Sequence, residues 1–356
     1  GGNLSGVGTI DSGDIATSGT VTSSGTGSNY FAGNVGIGTT SPSQALDIFG
    51  SINLPNTTSS TTGVIYKNGA PFIHNFIHPT GNTAIPEGMN TFVGLDAGNF
   101  TMGSTATSTA QGSYNTGTGY AVLQANTIGY GNTANGMTSL QSNTEGNYNT
   151  ANGVFSLKHN TTGSSNTTNG AWSLIGNTTG NNNTANGSSS LQSNTTGSYN
   201  TANGASSLQP NIDGTYNTAL GVGSGAKIAD GATGNKTSDY SIYLGSNTKA
   251  LADGGQNEIV IGYDATGLGS NSVVLGNNSI VTTALKGNVG IGTTAPAVKL
   301  DVNGEIKYKK NSAEPYACDA AHDSAVSLTN KYTTCVCKNG TGWVLTSDGT
   351  TACTWN

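Results

Sequence analysis

The sequence predicts an all-β protein: a parallel β-roll, or solenoid, of 17-residue coils, flanked by short β modules and followed by a small disulfide-stapled β domain. Three observations carry this expectation. Asn followed by Thr recurs every 17 residues, at Asn115, Asn132, Asn149, Asn166, Asn183, Asn200 and Asn217. Leu keeps the same step at Leu123, Leu140, Leu157, Leu174, Leu191 and Leu208. The chain has 54 Gly in 356 residues and only 8% charged residues, a density of Gly, Asn and Thr that no helix tolerates but that turns and short strands use.

A fixed period is the mark of a repeat architecture, one coil per period. The unit reads Tyr-Asn-Thr-Ala-Asn-Gly-x-x-Ser-Leu-Gln-x-Asn-Thr-Thr-Gly-x, and two short strands per coil joined by Gly and Asn turns account for it. Stacking at about 4.8 Å brings identical residues into register, so Leu plugs the interior and Asn forms amide ladders. Gly119, Gly136, Gly153, Gly170, Gly187, Gly204 and Gly221 are placed for turns with positive φ. One Leu and one Ala per coil is a thin core, so three rolls are expected to associate as a homotrimer.

Residues 1–30 alternate Gly, Ser and Thr with isolated apolar residues, as expected of an extended shaft segment or of a strand donated to a neighbouring subunit. Residues 31–80 hold a module and a collar. Within them, Val64–Ile73 reads as a hairpin turning at Asn68-Gly69. His74 and His78 follow it, and packing against the collar outweighs a metal ring on a trimer axis as their role. The roll with its capping coils occupies 81–286. Its caps are more apolar, as in Tyr240–Gly245, Asn257–Gly262 and Asn271–Gly276. Residues 287–310 form a second module, since Gly33-Asn34-Val35-Gly36-Ile37-Gly38-Thr39-Thr40 recurs at Gly287–Thr294, and both copies continue as x-Pro-x-x-x-Leu-Asp. Lys307, Lys309 and Lys310 then read as protection of a strand edge.

The tip, 311–356, is the part with a non-repetitive identity. Cys318, Cys335, Cys337 and Cys353 form an even set in a short segment, which reads as two disulfides of undetermined pairing and points to export. The Cys-x-Cys spacing makes zinc the lesser reading. Strands are expected at Thr333–Lys338, Gly342–Thr346 and Ala352–Trp355, with turns at Asn339-Gly340 and Asp348-Gly349. Trp343, Trp355, Tyr316 and Tyr332 are candidates for stacking on sugar rings, set against service as the domain's own core.

The Asn-x-x-Val-Gly unit at Asn90–Gly94 and the Ile-Val-Ile-Gly unit at Ile259–Gly262 resemble the head repeats of trimeric autotransporter adhesins. The Gly-Asn-Val-Gly-Ile-Gly-Thr-Thr module is similar to segments of phage tail fibres and of tail-fibre-like bacterial surface fibres. Together these resemblances span residues 31–304 and imply a trimeric fibre, on a cell surface or a virion tail.

Charge and composition narrow the function. The net charge is −6 and every one of the 12 basic residues is Lys, so nucleic acid is not expected as a partner. No apolar run reaches membrane-spanning length. No signal peptide is legible from Gly1, as in a mature or trimmed chain. Carboxylates are sparse in the array, where Glu145, Lys158 and Asp213 are the charges, and His159 and His322 stand alone. Catalysis, which needs paired acids or a triad, is therefore not expected, and no cofactor is called for. An ice-binding face is disfavoured because no Thr-x-Thr row is sustained. The expectation is an extracellular fibre whose tip binds a surface or a glycan; the alternatives are a homopolymeric filament and a phage tail fibre. Sequons at Asn160, Asn177, Asn194 and Asn235 follow from composition.

Overall fold

The computed structural model describes residues 33–39 and 41–304, together with the backbone of three strands at 326–328, 334–337 and 343–345. The chain divides into two compact units, Gly1–Ser279 and Ile280–Asn356. Every regular element among the described residues is a β-strand.

The first unit opens on a parallel pair, β1 (Val35–Ile37) and β2 (Leu46–Ile48). The motif holds this pair through its polar residues. Asn34 Nδ2 donates to the Pro42 carbonyl at 3.0 Å, and the Ser43 N–H donates to Asp47 Oδ2 at 3.0 Å. Next come β3 (Ile65–Lys67) and β4 (Ala70–His74), an antiparallel hairpin. Its Asn68 and Gly69 both have positive φ, 50° and 76°, as a two-residue Asn-Gly turn requires.

The hairpin forms one end of a 13-stranded sheet. β4 pairs antiparallel with β5 (Thr91–Val93), and from there the sheet is parallel. It continues through β6 (Thr116–Thr118), β7 (Thr133–Asn135), β8 (Thr150–Asn152), β9 (Thr167–Asn169), β10 (Thr184–Asn186), β11 (Thr201–Asn203) and β12 (Thr218–Leu220). Thr116 pairs with Thr133, Thr133 with Thr150, and so on to Thr218, so the sequence period is the register. A side excursion makes β13 (Lys227–Ile228), then β14 (Ile242–Leu244) rejoins the sheet. β15 (Lys249–Ala250) pairs with β13, while β16 (Ile259–Ile261) and β17 (Val273–Leu275) complete the sheet.

Each array coil contributes one three-residue strand, not the two that its composition predicts. The rest of the coil turns corners. Leu123, Leu140, Leu157, Leu174, Leu191 and Leu208 sit at φ between 47° and 51°, a left-handed conformation that ends any strand. Their N–H groups still bond coil to coil, as in Leu140 N–H to the Ser156 carbonyl at 3.1 Å. The glycines of the Gly136 row have φ between 120° and 143°, as expected of them.

The interior is a stack of columns. Leu123 through Leu208 are buried, as are Ala134, Ala151, Ala185, Ala202 and Ala219, which point inward from the strands. The remaining volume is polar and paired. Asn115 through Asn217 form a buried ladder in which the Nδ2 of each asparagine from Asn132 to Asn200 donates to the Oδ1 of the preceding coil and to a glycine carbonyl. For Asn166 these bonds are 3.1 Å to Asn149 and 2.9 Å to Gly180. A second buried ladder runs through Asn126, Asn143, Asn160, Asn177, Asn194 and Asn211, with Nδ2 to Oδ1 distances of 2.7 to 2.9 Å. Because two amide ladders satisfy their own polar groups, each coil closes with little apolar material.

The ends exchange large residues for small ones. Phe92 fills the inward position of β5, and Gly117 beside it leaves the room: a Cβ there would lie 2.9 Å from the Phe92 ring. Tyr243 fills that position in β14, and Gly225 stands where the Leu column would continue, with a Cβ placed 2.6 Å from the Tyr243 ring. Volume is conserved across each exchange.

Thr138 breaks the local rules. It is β-branched at φ 54°, and its buried hydroxyl has no hydrogen-bond partner among the described residues. Removing strain worth about 1–2 kcal/mol and an orphan hydroxyl outweighs the entropy of a glycine, so Thr138→Gly is expected to raise stability by about 1 kcal/mol. A urea midpoint that falls instead would contradict this.

The second unit repeats the opening pair. β18 (Val289–Ile291) and β19 (Leu300–Val302) are parallel, with Val289 opposite Leu300 as Val35 is opposite Leu46. Asn288 bonds the Pro296 carbonyl, and the Ala297 N–H bonds Asp301 Oδ2, the same contacts one module apart. Farther on, β20 (Val326–Leu328), β21 (Thr334–Cys337) and β22 (Trp343–Leu345) form an antiparallel sheet in that order. Two of the three strands expected there are present as β21 and β22. The described third strand precedes them, at 326–328, and the one expected at 352–355 lies outside the described residues.

Candidate functional surface

In the 13-stranded sheet the middle residue of each array strand points inward, so the first and third form an outward face. Over the array this face carries two rows. One is Thr116, Thr133, Thr150, Thr167, Thr184, Thr201 and Thr218. The other is a third amide ladder, Asn135, Asn152, Asn169, Asn186 and Asn203, with Nδ2 to Oδ1 distances of 2.7 to 3.0 Å. This ladder runs opposite to the buried two, each Nδ2 donating to the following coil.

Beyond the array the same face becomes apolar. Leu220, Val273 and Leu275 are 55%, 61% and 58% exposed, and Val222 and Tyr263 beside them are also exposed. At the other end Ile65 and Ile73 of the hairpin are exposed. The paired modules behave alike: Ile37 and Leu46 in one, and Ile291 and Leu300 in the other, are more than half exposed.

A left-handed corner precedes each array strand, and in five coils it carries a tyrosine. Tyr114, Tyr148, Tyr199, Tyr216 and Tyr240 are exposed and left-handed, with Gly131, Ser165 and Asn182 in the intervening coils. Asn257 and Asn271 continue this corner, so the buried ladder position passes from Asn217 to Ser241, Glu258 and Ser272 rather than to these asparagines.

The asparagines and leucines singled out by their period are thus structural, buried and not available to a ligand. The sequons at Asn160, Asn177, Asn194 and Asn235 are also buried in hydrogen-bonded positions, which leaves no room for a glycan on the folded roll. Cys335, Cys337 and Trp343 lie on the described backbone of β21 and β22. Their side chains, together with Cys318, Cys353, Tyr316, Tyr332, Trp355 and the lysines at 307, 309 and 310, lie outside the described residues, as does segment 1–30. Among the described residues no group of three or more His, Cys, Asp or Glu side chains is placed to hold a metal ion. No described helix is long and apolar enough to cross a membrane.

His74 belongs to the collar. It is buried between Phe92 and Phe100, with ring centroids 5.0 and 4.7 Å away. Its Nε2 lies 2.7 Å from the Ala97 carbonyl, and its Nδ1 accepts the Phe76 N–H at 3.3 Å, which identifies the neutral tautomer protonated at Nε2. Burial pushes its pKa below 6.5, opposed by the Ala97 bond. The unfolded chain therefore binds the proton more readily, and stability at this end is lost as pH falls below about 6.5. Faster amide exchange in β4 at about pH 5 than at pH 7.5, corrected for intrinsic rates, is the expected result.

A recess of about 410 Å3 lies among the capping coils between Lys249, Asp264, Leu268 and Val274, where Lys249 and Asp264 form an ion pair. Compared with known families, with curated proteins and with solved structures, the chain matches none.

Proposed function

We propose that the chain is a subunit of a homotrimeric extracellular fibre that acts by binding rather than catalysis, with the roll as spacer and the segment 311–356 as the part that meets a surface or a glycan. The observation that carries this reading is the outward apolar surface. Leu220, Val273, Leu275 and the isoleucine and leucine pairs of both modules stand exposed at equivalent positions of repeated elements. Two-stranded parallel units bury too little to be stable alone, and clustered apolar exposure marks an interface. A trimer accounts for all of these surfaces with one symmetry.

The array itself supports the spacer role. Its interior is self-sufficient, and outside the corner row of aromatic residues its surface is mostly Thr, Asn and Ser with few charges. A glycan array probed with the full chain and with a chain ending at Gly304 tests the assignment. Binding by the full chain alone is expected. Equal binding by the shortened chain would place recognition elsewhere.

A further inference from the structure

Three of the corner tyrosines differ from the rest in geometry. Tyr199, Tyr216 and Tyr240 are 50%, 48% and 57% exposed. Tyr199 and Tyr216 stack with ring centroids 4.8 Å apart and an interplanar angle of 0°, and Tyr216 and Tyr240 stack at 5.0 Å and 4°. The rings face each other because the coil register puts identical side chains in line. The other close tyrosine pair, Tyr130 and Tyr148, lies 5.1 Å apart but is edge-on, at 77°.

From this geometry we infer that the Tyr199–Tyr216–Tyr240 stack is an oxidative cross-linking site, at which a peroxide acting through a haem peroxidase joins neighbouring coils through dityrosine. Each phenol gives up one electron and one proton to become a neutral phenoxyl radical, whose unpaired spin lies on oxygen, on Cγ and on the two Cε carbons, of which only the Cε carbons carry a hydrogen to lose. Those spin-bearing lobes stand perpendicular to the ring, so face-to-face stacking aims them at one another, whereas an edge-on pair does not. Coupling forms one Cε–Cε bond. Each joined carbon then releases its hydrogen as a proton, each oxygen takes one up, and two phenols are restored. Two tyrosines and one hydrogen peroxide thus give one dityrosine and two waters. Holding the partners in this near-attack arrangement makes the coupling unimolecular.

Exposed stacked rings have little face left for a sugar, which needs a free face. The stack therefore fits modification better than recognition. A bond here ties together coils that otherwise adhere only through hydrogen bonds and packing, at the C-terminal part of the array where β11, β12 and β14 pair.

The test treats the folded full chain, at low concentration, with a haem peroxidase and hydrogen peroxide. Dityrosine fluorescence and peptide mass mapping are the readouts. The expected products are intrachain Tyr199–Tyr216 and Tyr216–Tyr240 links, each lighter by two hydrogen atoms, with yield independent of protein concentration. Tyr216→Phe keeps the ring and the stack but has no phenol, and it should abolish both links without changing the melting curve. The inference is overturned if the folded chain forms no dityrosine while free tyrosine in the same vessel does. It is equally overturned if products follow exposure, led by Tyr263 and Tyr148 at 69% and 61%, if links form only between chains, or if Tyr216→Phe leaves the yield unchanged.

Discussion

Asn166→Asp unfolds the middle of the array. The Asn166 side chain is fully buried, and all its capacity is used. Its Nδ2 donates to Asn149 Oδ1 at 3.1 Å and to the Gly180 carbonyl at 2.9 Å, while its Oδ1 accepts from the N–H and Nδ2 of Asn183 at 3.0 and 3.1 Å. Aspartate has the same shape but presents an oxygen where two acceptors wait. Two buried acceptors lose a donor, at about 1–3 kcal/mol each, and a carboxylate is left without a counter-charge. A loss of at least about 4 kcal/mol is expected, read as a collapse of the urea midpoint.

The pH dependence gives the sign. Burial without a counter-charge raises the carboxyl pKa above its unfolded value of about 3.9, so the folded state binds the proton more strongly and the deficit shrinks as pH falls toward 4. Asn152→Asp on the exposed ladder is the control. Its bonds, 2.8 Å from Asn135 and 3.0 Å to Asn169, are similar, but water replaces them, so it is expected to cost less than about 1 kcal/mol. Equal losses at the two sites would mean that burial of the inner ladder does not govern stability.

The second large effect is steric. A Cβ on Gly180 would lie 2.3 Å from the Gly197 carbonyl oxygen and 2.4 Å from Asn177 Oδ1, and neither can retreat without opening the coil spacing. Gly180→Ala is expected to cost about 3 kcal/mol, the upper range for overpacking, and to loosen both adjoining coils. Gly231 separates this cause from backbone conformation. It has φ 69°, yet a Cβ there meets nothing closer than Lys249 Cε at 4.0 Å. Gly231→Ala should therefore lose only the strain of a left-handed residue, about 1 kcal/mol. If Gly231→Ala proves the costlier of the two, close approach of the coils is not what selects glycine at Gly180.

Much of this fold is legible in the sequence because translation along a solenoid turns a period into a register. The spacing of Asn115 and Asn132 alone predicts that they stack, and the Leu column and the Asn-Gly hairpin follow by the same logic. Other features escape. Asn126 and its successors share the period and mostly precede Thr as well, yet only the closed coil reveals that they line the interior with the glycine carbonyl three residues on as acceptor. Left-handed leucines carry no compositional mark, so the second strand expected in each coil is a set of corners. At the caps, Asn257 and Asn271 look like ladder residues and instead occupy the corner, because the inward position there is set by the alternation of Ile259 and Val260 with their neighbours. The thin core that argues for a trimer is real in apolar terms, yet the amide ladders fill it. The argument for association therefore moves from the array to the exposed residues of the caps and modules.

The homotrimer is the central claim, and its most direct test is the mass of the full chain by sedimentation equilibrium across a wide dilution series. Three times the chain mass, persisting at the lowest concentration and lost when Leu220, Val273 and Leu275 are changed together to Ser, is the result expected. A single-chain mass at every concentration would contradict the account.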